Sequence, residues 1–175
     1  MIRNLRDVGK SVNGILGYSK LKQNTLYRGG SLDGLTSIEQ LPDVKAIVNL
    51  RRDSDPEFCK NLGMQICPLG AMNNYQIESR LFQDWICKLF GYLSQNPEWP
   101  VLIHCNAGKD RTGVVAALLL KNIGISDNVI IEEYMKSDGI LYPKSVGQLL
   151  CSVPHFAFLR MDEAQKSSLK SVLIK

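Results

Sequence analysis

Only two histidines occur in the 175 residues, and the five cysteines (Cys59, Cys67, Cys87, Cys105 and Cys151) form no Cys-x-x-Cys pair. A zinc centre therefore lacks ligands at any usual spacing, and an odd, scattered set of thiols argues against a disulfide framework, so a reduced, intracellular setting is expected. The longest apolar run, Val114 to Leu120, is far shorter than the ~20 residues that cross a bilayer. Met1 to Lys10 has no apolar signal core, which makes the cytoplasm the expected location; a specialised export route would leave no mark of this kind. Linkers, repeats and low-complexity tracts are absent, and no motif requires a cofactor. An excess of one charge is also lacking. Against 17 acidic residues stand 21 basic ones, a balance of +4 that suits anionic ligands but falls short of a nucleic-acid binder.

What is present fits one globular domain over residues 1–175, with 45% apolar residues to build its core. Short β-branched or apolar runs at Leu26–Arg28, Val44–Leu50, Met64–Cys67 and Val101–Ile103 read as strands. Asp55-Pro56 reads as the cap and first turn of a short helix ended by Gly63. Asn74 can cap a long helix from Tyr75 to Ser94, with Ile77, Leu81, Phe82, Trp85, Ile86, Leu89, Phe90 and Leu93 on one stripe. Further helices are expected from Ser126 or Asp127 to Lys136, from Pro143 to Cys151, and from Asp162 to Ile174. Strands alternating with helices predict an α/β fold, a central mostly parallel sheet of four or five strands flanked by helices.

The chemistry concentrates in Val101 to Gly113. An apolar strand delivers Cys105, five residues separate it from Arg111, and Thr112-Gly113 lead into an apolar helix. A loop of this kind turns its amide N–H groups inward at a helix N-terminus, which attracts anions and favours thiolate over thiol. Arg111 adds a planar fork of donors for two phosphate oxygens. A Walker-type nucleotide loop does not fit, because Asp110 follows the Gly108-Lys109 pair where Ser or Thr is needed. The remaining alternative, Cys105 as a small core residue, leaves the Gly, Arg, Thr and Gly positions without an explanation.

His104-Cys105-(five residues)-Arg111-Thr112-Gly113 resembles the signature of the cysteine-dependent protein tyrosine and dual-specificity phosphatases. The string Ala107 to Gly113 is most similar to bacterial tyrosine phosphatases that also act on phosphoinositides. Asn4 to Gly9, Leu26 to Gly30 with Leu35-Thr36, Ile47 to Arg51, and Glu133-Tyr134 with Ser137 resemble further landmarks of that group, in order. The middle of the chain also resembles atypical dual-specificity phosphatases of plants and fungi that hydrolyse inositol pyrophosphates, which usually carry His where Asp110 stands. The resemblance implies a tyrosine phosphatase-like fold and a single phosphatase domain. It also implies hydrolysis through a phosphocysteine at Cys105, with Arg111 and the loop residues Asn106, Ala107, Gly108, Lys109 and Thr112 holding substrate.

The same resemblance makes Asp110 the leading proton donor, since the segment Pro68 to Asn74, where most relatives carry an acidic loop, has no carboxylate. Asp53 and Asp55 are the reserve candidates, and Asp110 could instead only orient Lys109 or Arg111. Thr112 is expected to offer its hydroxyl to the sulfur, with helix capping as the alternative. His104 is expected to fix the loop by hydrogen bonding, and His155 to be incidental. Asn49 stands where the family usually has Asp before Leu50; if that Asp pairs with the loop lysine in relatives, Lys109 here is freer to meet substrate or less well held. Lys109 then either meets a multiply phosphorylated substrate or is neutralised by Asp110 or another carboxylate. Neutral Asn106 weakens the lipid-phosphatase comparison.

The expected substrate is a phosphotyrosine protein, with phosphoserine or phosphothreonine next and phosphoinositides or inositol (pyro)phosphates as the alternative. Sulfur transfer, arsenate reduction and non-catalytic phosphate binding are the remote competitors. Pocket depth, set by Arg28–Leu32, Leu69–Asn74 and Ile140–Lys144, governs the choice among phosphoproteins.

Overall fold

The computed structural model describes residues 1–175 except 62, 64, 69–76, 96 and 140–143. Five strands form one sheet: β1 (Arg6–Asp7), β2 (Leu26–Gly29), β3 (Ala46–Asn49), β4 (Gln65–Pro68) and β5 (Val101–His104). Their order is β1-β2-β5-β3-β4, parallel throughout except for β1, which runs antiparallel to β2. Gly29, His104 and Asn49 lie in register, so the carboxyl ends of the three central strands form one level edge. Ligands of open α/β sheets bind beyond that edge.

Alternation along the strands divides the interior. Val101, Ile103, Ala46 and Val48 join the larger core, with residues of α1 (Val8–Leu16), α3 (Arg80–Gln95), α4 (Asp110–Asn122), α5 (Asp127–Met135), α6 (Lys144–Ser152) and α7 (Glu163–Leu173). Leu102 and Ile47 face the other way, toward Ile2, Leu32, Leu35 and Cys59 of α2 (Glu57–Asn61). Helix α4 is buried almost all round, including every residue from Thr112 to Leu120, which explains its continuous apolar sequence. No described helix is long and apolar enough to cross a membrane.

Several boundaries differ from the sequence reading. α3 begins at Arg80; Ile77 and Glu78 form a turn, and Ser79 accepts the amide of Gln83 at 3.0 Å. Leu81 is 64% exposed, so the apolar stripe starts at Phe82, while the expected cap Asn74 lies outside the described residues. Pro143, the expected start of α6, also lies outside them. Asp55 does not cap α2, because its carboxylate faces His104. α1 was not foreseen: Gly9, Asn13 and Gly14 are weak helix formers. Asp7 caps it through the Lys10 amide at 3.1 Å, and Gly17 closes it in a left-handed conformation.

Candidate active site

Strand β5 ends at His104, α4 starts at Asp110, and the intervening residues fold around Cys105, which is 3% exposed. Four carbonyls of this loop, those of Asn106 to Lys109, are tied down on the outside. Asn106 O accepts the Ser31 amide at 2.9 Å, and Ala107 O accepts Asn4 Nδ2 at 2.7 Å. Gly108 O and Lys109 O both accept Arg28 Nη2, at 3.2 and 3.3 Å, and Lys109 O also takes the Gly113 amide at 2.8 Å. A trans peptide unit carries its N–H opposite its C=O. Outward carbonyls therefore leave the amides of the following residues directed to the other side. Among the described residues, none of the amides from Asn106 to Thr112 has an acceptor. Such a set, ending on a helix N-terminus, suits an oxyanion.

Glycine makes this winding feasible. Gly108 has φ +69°, and a Cβ there would lie 2.5 Å from Gly29 C and 2.6 Å from Gly30 N. A Cβ on Gly113 would meet the Tyr134 ring at 2.4 Å and Arg28 Nη2 at 3.0 Å, so α5 and Arg28 reach the loop only because residue 113 has no side chain.

Behind the loop lies a buried ionic triad. Glu133 Oε2 accepts Arg28 Nη1 at 2.6 Å and Oε1 accepts Arg6 Nε at 2.7 Å; the Arg28 and Glu133 side chains are each 1% exposed. Arg6 Nη2 also reaches Glu133 O at 3.0 Å and Ser137 Oγ at 2.9 Å. Burial pulls the Arg28 guanidinium below its ordinary value, and Glu133 opposes that pull. None of these residues was assigned a role from the sequence, although all belong to its landmark segments. An arginine inside the apolar β2 run and a glutamate with Tyr134 in α5 were the available signals.

The site residues named from the sequence separate into distinct positions. Arg111 is partly buried and donates Nη1 to Leu50 O at 2.9 Å, which leaves Nε and Nη2 without an acceptor among the described residues. Thr112 is the third residue of α4, its Oγ1 buried and unpartnered; the N-cap position belongs to Lys109. The hydroxyl makes no hydrogen bond to the Cys105 sulfur. Asp110 is exposed in the first turn of α4, and Asn106 is exposed beside the half-buried Ala107. Among the described residues Lys109 Nζ pairs with no carboxylate, and it donates to Gly139 O at 3.1 Å. Arg3 Nη2 stands nearby, 3.9 Å from where a Gly139 Cβ would sit; Lys109 Nζ is 3.5 Å from the same point.

Asn49 has no part in holding Lys109. Its Oδ1 accepts the Arg51 amide at 2.7 Å and its Nδ2 donates to Asp53 O at 2.9 Å, a local turn that shapes the end of β3. Arg51 donates Nη1 to Ser31 Oγ and Asp33 Oδ1, both at 2.7 Å; the Asp33 bond raises the Arg51 pKa and holds the Asp33 carboxyl below its usual range. Of the reserve acids, Asp53 is exposed at 74% and 3.4 Å from Arg51 Nη2, whereas Asp55 is enclosed against His104. Residues 69–74 and 140–143 lie outside the described residues. Among the described residues no cluster of three His, Cys, Asp or Glu side chains suits a metal ion.

The model of a tyrosine phosphatase family matches residues 1–150. The triple specificity protein phosphatase PtpB of Mycobacterium tuberculosis is 43% identical over 63 residues, 36% of this chain and 21% of that protein, so the match spans about a fifth of the relative's length. A putative tyrosine-protein phosphatase, OCA1, of Mycosarcoma maydis is 27% identical over 129 residues, 70% of this chain and 80% of the relative. Among solved structures, the core catalytic domain of the PP-IP phosphatase SIW14 from S. cerevisiae superposes with a TM-score of 0.62 at 21% identity, covering 86% of this chain and 92% of that one. This last likeness concerns the fold.

Proposed function

Because this chain belongs to the tyrosine phosphatase family, we propose that it hydrolyses phosphate monoesters, phosphotyrosine foremost, through a phosphocysteine at Cys105. The ring of outward-tied carbonyls around Cys105, with unpaired amides from Asn106 to Thr112, is the observation that carries this reading. A phosphate monoester is close to doubly negative in neutral water, and the amides with Arg111 Nε and Nη2 offset that charge as bonds loosen at phosphorus. The Cys105 sulfur attacks phosphorus, the ester P–O bond breaks, and Asp110 passes its proton to the departing oxygen. Asp110 then takes a proton from water, whose oxygen displaces sulfur and releases inorganic phosphate. Thr112 Oγ1, buried without a partner, would turn to donate to the leaving thiolate.

Residues 1–175 act in this scheme as one phosphatase domain working in the cytoplasm, where Cys105 stays reduced. A second reading, hydrolysis of phosphoinositides or inositol (pyro)phosphates, is favoured by Lys109 Nζ and Arg3 Nη2 converging beside Gly139, where a further phosphate would meet two cations.

The test is a substrate panel of phosphotyrosine and phosphoserine peptides, phosphoinositides and inositol pyrophosphates, run with wild type and Cys105→Ser. Loss of at least about a thousandfold in kcat for the variant is expected, with phosphotyrosine the best wild-type substrate. Persulfide formation from thiosulfate, or full hydrolysis by Cys105→Ser, would overturn the proposal.

A further inference from the structure

We infer that Glu133 and Arg28 are positioning residues for the phosphate site, setting the orientation of two particular loop amides, those of Lys109 and Asp110. The inference rests on the loop being the phosphate site and goes beyond it by assigning those amides to a buried charge pair that cannot touch substrate.

The geometry is a division of labour around the loop. The Ala107 amide shares a peptide unit with the Asn106 carbonyl, which is held by the Ser31 amide. The Gly108 amide shares one with the Ala107 carbonyl, held by Asn4 Nδ2. The next two units share one nitrogen, and the second is held as well by the Gly113 amide, at 2.8 Å from Lys109 O. Arg28 Nη2 takes the carbonyls of Gly108 and Lys109 together, and this directs the Lys109 and Asp110 N–H groups to the opposite side.

Those two contacts are long, at 3.2 and 3.3 Å, and do not by themselves fix a guanidinium. The short contact is Arg28 Nη1 to Glu133 Oε2, at 2.6 Å between side chains each 1% exposed. It sets the plane in which Nη2 meets the carbonyls. Arg6 holds the other carboxylate oxygen of Glu133, so the carboxylate cannot follow if Arg28 swings. Two guanidiniums against one carboxylate also leave a positive charge behind the loop, of the sign that favours an anion and shielded from salt by burial.

Arg28→Lys keeps a charge beside Glu133 but loses the fork that reaches both carbonyls; Glu133→Gln keeps an acceptor but loses the charge. Each is measured for inorganic vanadate affinity, for phosphate-induced shifts of the loop amides by ¹⁵N NMR, for kcat and KM separately, and for urea unfolding. Vanadate binding weaker by tenfold or more is expected. The phosphate-induced shift of the Lys109 amide is lost and that of Asp110, whose peptide unit the Gly113 amide still holds, is reduced, while those of Ala107 and Gly108 persist. That selective pattern separates positioning from general loosening, which would move all four amides together.

If either buried variant fails to fold, Arg6→Lys, altered at the 15%-exposed end of the triad, is expected to give a smaller loss with the same two-amide pattern. Wild-type vanadate affinity with all four shifts intact in the folded variants would overturn this inference alone. A wild-type protein that binds neither vanadate nor phosphate would overturn the phosphatase reading and this inference with it.

Discussion

Both carboxylate oxygens of Asp55 bracket His104 Nε2, at 3.1 and 3.2 Å, and neither side chain is exposed. The residue directly before the nucleophile is thus anchored to the segment that follows β3. A buried carboxylate serving as a hydrogen-bond acceptor is poorly placed to deliver protons to a substrate. Asp55→Ala is expected to lower stability by about 2–4 kcal/mol, the range for leaving one member of a buried polar pair unpaired. Asp55→Asn, which keeps an acceptor, is expected to retain most of the activity. Urea unfolding with kinetics checks both, and a hundredfold loss of kcat in a stable Asp55→Asn would assign the acid to Asp55.

Glycine substitutions are expected to divide by backbone conformation. Gly108→Ala would place a methyl 2.5 Å from Gly29 C at φ +69°, so a loss of at least about 2 kcal/mol is expected, together with loss of phosphate binding. Gly91, inside α3, has nothing within 4 Å of its would-be Cβ and no positive φ. Gly91→Ala is expected to stabilise by about 0.5–1 kcal/mol. Urea titrations of the two variants should move in opposite directions.

The loop from His104 to Gly113 is legible in the sequence because strand, loop and helix are contiguous and each residue type has a backbone reason to be there. What holds the loop is not legible in that way. Glu133 lies 105 residues from Arg28 and 127 from Arg6, and the packing of α5 against α1 and α4 brings the three together. The direction of Lys109 was likewise open, since a long side chain on a loop can turn to any nearby acceptor; it turned to Gly139 O. Periodicity placed α3 but misjudged its start, because Leu81 fits the apolar stripe by type and yet stands 64% exposed. The parallel centre of the sheet followed from strand–helix alternation, while two-residue β1 gives too short a pattern to read.

The thiols are expected to separate by reactivity. Burial, with the Asp55 charge adding to it, pushes the Cys59 thiol up to about 11. Burial also raises Cys87, which is exposed at the surface of α3, and Cys151 is exposed on α6. At pH 8, iodoacetamide should spare Cys59 in the native protein and label Cys87 and Cys151 without regard to phosphate. Phosphate should protect Cys105 and no other. Because the folded state holds the Cys59 proton more tightly than the unfolded chain, its contribution to stability is present below pH 9.0 and is lost as pH rises toward 11. Cys59→Ala should flatten that alkaline decline, and an unchanged slope would contradict the assignment.

Acid should weaken the contact between Asp33 and Arg51. The 2.7 Å bond to Arg51 leads the causes that hold the Asp33 carboxyl below its usual range, so the folded state binds that proton less readily than the unfolded chain. The stabilisation is therefore present above the ordinary carboxylate range near 3.8 and disappears as pH falls through the lower folded value. Asp33→Asn should differ from wild type in urea midpoint at pH 7, and the difference should narrow as pH falls below the ordinary carboxylate range. Since Asp33 is 57% exposed, the difference should be small and should shrink in high salt.

Asp110 carries the proton-transfer prediction. It stands exposed in the first turn of α4, one residue before Arg111, with its side chain engaged in no hydrogen bond or ion pair among the described residues. A carboxyl that must reach a departing oxygen benefits from that freedom, whereas one serving only to orient Lys109 or Arg111 would be bonded to it. Asp110→Asn should lower kcat by about 10²–10⁴-fold on esters with poor leaving groups and far less on an aryl ester whose leaving oxygen needs no proton. Loss of a general acid should also flatten the alkaline limb of the pH–rate profile, because that limb reports deprotonation of the donor. Equal effects on good and poor leaving groups, with the limb retained, would move the acid elsewhere, and Asp53 would be the next residue to test.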